Sequence, residues 1–487
     1  MKRRIVALLL LVVMMLSMLA ACGETPSQGN TPNQGETPNQ GGETVQSVGN
    51  FAVPEGGYDG SEVTIRFYNT MGANLREVLD LYIVEFNKLY PNIHIEVSQV
   101  GGYDDVREQI ATEITVGNQP NIAYCYPDHV ALYNIAKAVT TLDNLIESDI
   151  EVTRADGTTE ILGLTDEQKA DFVEGYYNEG VQFGDGLMYT MPMSKSTEVM
   201  YYNKTFFEEN GLTVPTTWDE LEAVCAKIKE IDPNSIPLGY DSESNWFITM
   251  TEQYGSPYTS ATGDHFLFNN DTNKDFVKRF REWYKKGYLT TQEIYGAYTS
   301  GLFTSTSEVK SYISIGSSAG ATYQRPAAVD GAYPFEVGIA TIPQVDPANP
   351  KVISQGPSLC IFQKANPQEV VASWLFVKYL TTTVEFQAEF AMASGYVPVL
   401  KSVGEHPVYA DFIAKADGGN NIAALSAKVC VEQANAYYTS PAFNGSSTAR
   451  DQVGLLLQKC LVDPTNDVDS LVDKAFKDAV IACEEST

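Results

Sequence analysis

Histidine is scarce in this chain: four residues in 487, none paired at a metal-ligand spacing. None of the seven cysteines forms a CxxC pair. Together these absences leave no zinc constellation. No P-loop and no dinucleotide fingerprint is present, which removes the usual equipment for phosphoryl or hydride transfer. Positive charge is also short, with 32 Lys and Arg against 62 Asp and Glu and a formal net charge of −30. That imbalance disfavours nucleic acid and anionic lipid headgroups as partners, and no nucleic-acid partner is expected. Hydrophobic content of 44% with 19% charged residues fits a water-soluble body large enough for two cores.

The one long apolar run lies at the start. Lys2, Arg3 and Arg4 precede an apolar stretch over 5–18, broken by Ser17, and small residues lead to Cys22. This reads as a secretory signal over 1–21. Cys22 resembles the lipobox cysteine of bacterial lipoproteins, which implies cleavage before it, lipidation of its sulfur, and anchoring on the outer face of a membrane. An uncleaved membrane anchor is the alternative, although the run falls short of the ~20 residues a span needs. Residues 22–60 read as the lipidated cysteine and a disordered tether. Imperfect Thr-Pro-x-Gln-Gly copies begin at Thr25, Thr31 and Thr37, with almost no aliphatic residues to offset ordering entropy. Such a spacer reaches on the order of 35 Å.

From residue 61 a β-α-β-α-β-α pattern unfolds. Alternating strands are expected at 63–68 and 93–97, with a short third strand at 121–125. Between them lie a helix stopped by Pro91 and another ending at Gly117; a third helix follows Pro127. This is the signature of an α/β protein with a parallel sheet covered on both faces. Residues 148–165 read as a surface hairpin or loop. Strands follow at 187–192, 199–203 and 312–315, and a single strand at 352–362. Thr217-x-x-Glu220 and Asn366-Pro367-x-Glu369 open helices. The last third is helical, with a 3.6-period stripe over Val453, Leu456, Leu457, Cys460 and Leu461. Apart from Cys22, the cysteines fall on these core stripes and strands and read as buried free thiols. One disulfide among the C-terminal helices stays open.

Catalytic motifs are weak. Gly316-Ser317-Ser318-Ala319-Gly320 matches the nucleophile-elbow pattern, which needs an acid and then a histidine downstream; His406 alone follows. Asp271-x-Asn273-x-Asp275 starts like a calcium loop, but Phe276 replaces the required glycine and the twelfth-position Glu is missing. No metal, no cofactor and no catalytic residue is therefore expected. Loops after the strands instead hold hydroxyls, amides, aromatics and small residues: Asn69, Thr70, Tyr103, Tyr126, Asp128, and the segments around Ser196, Ser317, Gly356 and Tyr396. Ligands of parallel α/β sheets sit at the carboxyl ends of strands, and this equipment suits a polyhydroxylated small molecule.

Spread over the whole body, VTIRFYNTMG, GNQPNIAYCY, MPMSKSTEVMYYNKTFFEENGL with PTTWDEL, QGPSLCIFQKANPQEVVASWLFVKYL and ASGYVPV carry a resemblance. The chain resembles an extracellular solute-binding protein of the maltose-binding-like family, the capture subunits of bacterial ABC importers, with the glycerol-3-phosphate-binding branch as the nearest pattern. The resemblance implies the two-lobed (type II) periplasmic-binding-protein fold, with a hinge and a ligand in the interlobe cleft. It places lobe 1 at 61–196 with 339–394 and lobe 2 at 197–338 with 395–487. It also implies ligand contacts from Tyr103, Ser196, Trp246, Ser317 or Ser318, Gly356 and Tyr396. Two positions depart from that branch. Its acidic residue after the third strand falls on Pro127, leaving Asp128, and its phosphate-binding arginine falls near residues 444–447, with Arg450 several residues away.

The expected function is a lipid-anchored, non-enzymatic monomer at the extracellular face of the membrane. It would capture a sugar or oligosaccharide by lobe closure and deliver it to an ABC permease. A polyol-phosphate binder is the alternative, a surface adhesin or scaffold a third reading, and a serine hydrolase using Ser318 a distant one.

Overall fold

The computed structural model describes residues 51–487. The expected signal sequence, Cys22 and the tether up to residue 50 lie outside the described residues. Fourteen strands are present among the described residues: β1 (Val63–Asn69), β2 (Ile93–Gln99), β3 (Ile122–Cys125), β4 (Glu151–Thr153), β5 (Thr159–Ile161), β6 (Met191–Pro192), β7 (Ser196–Asn203), β8 (Leu238–Tyr240), β9 (Leu289–Thr291), β10 (Ile313–Ser317), β11 (Val337–Ala340), β12 (Val352–Gln355), β13 (Ser358–Ile361) and β14 (Tyr437–Tyr438).

The first sheet runs β2-β1-β3-β13-β6. Its β1 pairs in parallel with β2 from Val63↔Ile93 to Asn69↔Gln99, whereas β13 enters antiparallel to β3. Alternation along β1 sends Ile65 and Phe67 to one core and Tyr68 to another on the opposite face. The helix Ala73–Leu89 buries Leu79, Tyr82 and Phe86 against the first of these, and Pro91 follows its cap at Tyr90. The helix Tyr103–Ile114 covers the other face through Val106 and Ile110.

The second sheet runs β14-β12-β7-β10-β8-β9, with β11 also on β7. Met200 of β7 points to one core, Val199 and Tyr201 to the other. Thr217 opens the helix Trp218–Ile231 with the expected reciprocal cap: Glu220 N–H donates to Thr217 Oγ1 at 3.2 Å, and Thr217 N–H donates back to the Glu220 carboxylate at 3.2 Å. The helices Ser446–Val462 and Val468–Glu484 pack on the same core through the C-terminal stripe.

Several expectations are corrected. Residues 51–60 are packed on the body: Phe51 is buried, its N–H donates to Thr141 Oγ1, and Tyr58 stacks edge-on against Tyr90. Phe51, Val53 and Tyr58 supply the apolar surface that the preceding repeats lack. The strand expected over 352–362 is two strands in different sheets, broken at Gly356-Pro357. Because β11 and β12 both pair with β7, the chain returns to the first sheet there rather than near Gly338. Residues beyond 395 also divide: Val399, Leu400, Val403 and Tyr409 join the first core, and Ile422, Val429 and Cys430 a second-sheet core. Residues 148–165 do form a hairpin, β4 against β5. The six cysteines among the described residues are buried free thiols. No described helix is long and apolar enough to cross a membrane.

Candidate functional site

Three connections cross between the sheets, and their polar groups meet in the buried interior. At the first, between Pro192 and Ser196, fully buried Lys195 donates from Nζ to Glu179 Oε1 at 2.7 Å, to Ser358 Oγ at 2.9 Å and to the Gly356 carbonyl at 3.2 Å. Ser358 Oγ donates to the same Glu179 oxygen at 3.2 Å, so the ion pair ties the first crossing to the second. Gly356 has φ +95°, and a Cβ there would stand 2.6 Å from the Ser194 carbonyl oxygen. Only glycine meets both conditions. At the third crossing Val397 bridges to Lys195.

Beside this knot lies a chamber of about 110 Å3. The first lobe contributes Tyr126, Asp128 and Glu179; the second contributes Tyr258, Ser354 and Arg450. Four hydroxyls on its wall, those of Tyr258, Thr259, Ser354 and Ser440, are buried without a protein hydrogen-bond partner. Buried polar atoms of this kind call for polar partners from outside the fold. Asp128 accepts from Ser447 Oγ at 2.6 Å, a bond that spans the two lobes. Burial would push its carboxyl up, but His129, the Ser447 bond and Arg450 overcome that and hold it below the ordinary range.

A second compartment of about 740 Å3 opens over the carboxyl ends of β8 and β10 and shares Gln355 with the chamber. Gln355 and Asn245 exchange amide hydrogen bonds at 2.9 and 3.2 Å, and Arg450 donates to Asn245 Oδ1. Glu198 lines the wall; burial pushes its carboxyl up to about 7, against the pull of Tyr240, Asn245 and Arg450. Asp241 is likewise pushed up by burial, with the Thr299 bonds opposing.

The expected site residues separate into groups. Tyr126, Asp128, Gly356 and Ser317 line the two compartments. Tyr103 packs tilted against Tyr126 with ring centroids 4.6 Å apart, and its hydroxyl meets that of Tyr396 at 3.5 Å. Ser196 is buried at the start of β7 opposite Gln355. Asn69 is buried at the end of β1, accepting from Met71 N–H, and half-buried Thr70 follows it. Trp246 stands apart: it is fully buried in the second core, stacked at 4.7 Å on Tyr240 and 4.0 Å from Phe280. Its helix, Glu243–Gln253, turns ~100° per residue, so Asn245 and Ile248 face the compartments instead. Ser318 is fully buried, its Oγ accepting from Thr197 N–H, while His406 caps the helix Pro407–Ala414 on the first core. Buried and bonded to Thr197, Ser318 is not the exposed hydroxyl that a nucleophile elbow presents. Asp271, Asn273 and Asp275 form the first turn of a helix capped by Asn270.

Glu198, Asp241, Asn245 and Gln355 escaped sequence reasoning: Glu198, Asn245 and Gln355 lie on strands or a helix whose inner face looks like core, and Asp241 follows the three-residue β8, a strand too short to read from sequence. Arg450 left a signal: Ser446 and Arg450 stand at i and i+4 in one helix and line the same chamber.

Two α/β lobes joined by three crossings, with polar compartments at the strand ends between them, define a solute-binding protein of the two-lobed type. The family model for bacterial extracellular solute-binding proteins matches residues 82–416, and the chain belongs to that family. The sn-glycerol-3-phosphate-binding periplasmic protein UgpB of Shigella flexneri is 24% identical over 363 residues, covering 70% of this chain and 75% of the relative. Among solved structures, the cyclic α-maltosyl-1,6-maltose binding protein of Arthrobacter globiformis superposes with TM-score 0.67 at 19% identity, covering 87% of this chain and 100% of that one. UgpB of Mycobacterium tuberculosis, in complex with glycerophosphocholine, gives TM-score 0.67 at 17% identity, covering 87% and 99%. The chain is not an enzyme; its family binds solutes.

Proposed function

We propose that this protein captures a carbohydrate between its lobes and delivers it to the permease of an ABC importer. The supporting observation is the chemistry of the compartments. The larger one is lined by Glu198, Asp241, amides, hydroxyls and tyrosines, with no Lys or Arg among its described lining residues. Carboxylates and amides accept and donate to sugar hydroxyls, whereas they repel a phosphate. Lobe 1 would comprise residues 51–196 and 357 to about 416, and lobe 2 the remainder. Tyr103, Tyr126, Asp128, Ser317, Gly356 and Tyr396 would contact the ligand. The protein would act as a monomer held by a lipid on Cys22 at the extracellular face of the membrane.

A polyol phosphate is the second reading, favoured by Arg450 in the chamber wall. Native mass spectrometry of untreated protein, followed by thermal shifts against neutral saccharides and polyol phosphates, separates the two. A ligand well above its dissociation constant raises the midpoint. Stabilisation by neutral saccharides is the expected result; stabilisation by phosphates alone would sink the carbohydrate reading. For the anchor, Cys22→Ser should move the protein from the membrane fraction to the medium.

A further inference from the structure

The larger compartment is unevenly supplied with hydrogen-bonding groups. Asp241 Oδ1 already accepts from both the N–H and the hydroxyl of Thr299, each at 2.7 Å. Among the described residues, none donates a hydrogen bond to its Oδ2. That oxygen lies 2.6 Å from where a Cβ on Gly316 would be, so the glycine at the end of β10 admits the carboxylate to the wall. Gln324 is 2% exposed, and its Oε1, on the same wall, is buried without a partner. Glu198 adds a second carboxylate, taking the Tyr240 hydroxyl on Oε2 at 2.6 Å. Arg450 is the cation that acts on Glu198, and among the described residues the groups acting on Asp241 are the Thr299 hydroxyl and N–H. Tyr298 and Tyr323, 66% and 75% exposed, add two open aromatic rings to the lining.

We propose that this wall is an amine-recognition subsite, selecting a saccharide unit that carries a protonated amino group. The proposal rests on the carbohydrate reading above. An ammonium brings three donors, no acceptor and a positive charge, the complement of Asp241 Oδ2, Gln324 Oε1 and Glu198. A hydroxyl supplies one donor and brings lone pairs that these acceptors cannot use. The open tyrosine rings attract a cation through their faces. The remaining lining groups, Ser242, Ser300, Ser317 and Gln292, can donate as well as accept and suit the hydroxyls of the same sugar ring.

The test uses three disaccharides with one ring type and linkage, differing at the 2-substituent: β-1,4-linked diglucosamine, its N-acetylated form, and cellobiose. Calorimetric titration of the whole protein at neutral pH should give the diamine at least on the order of tenfold tighter binding than either neutral sugar, since a charge-assisted hydrogen bond is about twice as strong as a neutral one. Asp241→Asn should erase most of that preference, weakening the diamine by a larger factor than cellobiose, whose hydroxyls an asparagine amide can still bond. Exposed Tyr298→Ala should weaken the diamine more than cellobiose, by a smaller factor than Asp241→Asn. Circular dichroism would show each variant folded before titration. Equal or tighter binding of the neutral sugars, or a diamine affinity indifferent to both substitutions, overturns the proposal and leaves the carbohydrate reading standing. Binding of a polyol phosphate with no disaccharide binding overturns both.

Discussion

A carboxyl held near neutrality inside a protein makes stability depend on pH, and Glu198 is such a group. Burial raises it from 4.5 to about 7, while Tyr240, Asn245 and Arg450 oppose and Asp241 adds to the rise. The folded protein therefore holds this proton more tightly than the unfolded chain. Below about 4.5 both states are protonated and no penalty applies; stability is lost as pH rises toward 7 and stays lost above it. At 1.36 kcal/mol per unit the group costs about 3 kcal/mol at neutral pH. Glu198→Gln should therefore gain about 3 kcal/mol on wild type between acidic and neutral pH in urea unfolding series; parallel curves would disprove the assignment. Lys195 presents the opposite case, a buried cation already paired. Lys195→Met strands the Glu179 carboxylate, which is 3% exposed, and should cost roughly 3–5 kcal/mol. Adding Glu179→Gln should restore part of that loss, and a double variant no better than the single would refute the pairing.

The elements themselves were largely legible, because their cues are local. Alternation at β1 and β2, the stop before Pro91, the cap at Thr217 and the stripe from Val453 to Leu461 each reflect a period or a single hydrogen bond. The run over 352–362 misled for the same reason. Its two ends are apolar and strand-like, but pairing with two different sheets is a non-local fact; Gly356-Pro357 was the visible sign of it. Gly356→Ala adds a left-handed penalty of about 1–2 kcal/mol and pushes a methyl onto the Ser194 carbonyl. The expected result is a clear fall in unfolding midpoint together with weaker solute binding, since the chamber wall shifts with the crossing. A variant that binds and melts like wild type would show that the crossing tolerates the side chain.

At the scale of the whole molecule, the cleft was only half visible. Tyr126, Asp128 and Gly356 advertise themselves as polar or special residues after strands, while Glu198 and Asn245 hide among core neighbours such as Met200 and Trp246. Only the assembled lobes show which side of β7 or of the helix Glu243–Gln253 faces the gap. Across that gap Thr439 Oγ1 and Ala442 N–H donate to Gln182, and Ser447 Oγ donates to Asp128, the link that engages a charged group. A hydrogen bond to a charged group contributes roughly 1.5–3 kcal/mol, and it exists only while the lobes hold this separation. Removing it with Ser447→Ala shifts the population toward separated lobes and taxes every ligand that needs them together. Saccharide affinity should fall about tenfold or more while the unfolding midpoint of the free protein barely moves, because neither core loses a contact. Small-angle scattering supplies the structural half of the test: the wild type should contract on saturating saccharide, and the variant should start larger and reach the same liganded dimensions. Identical scattering from both free proteins, with unchanged affinity, would mean that the three crossings and the Gln182 bonds hold the lobes without it.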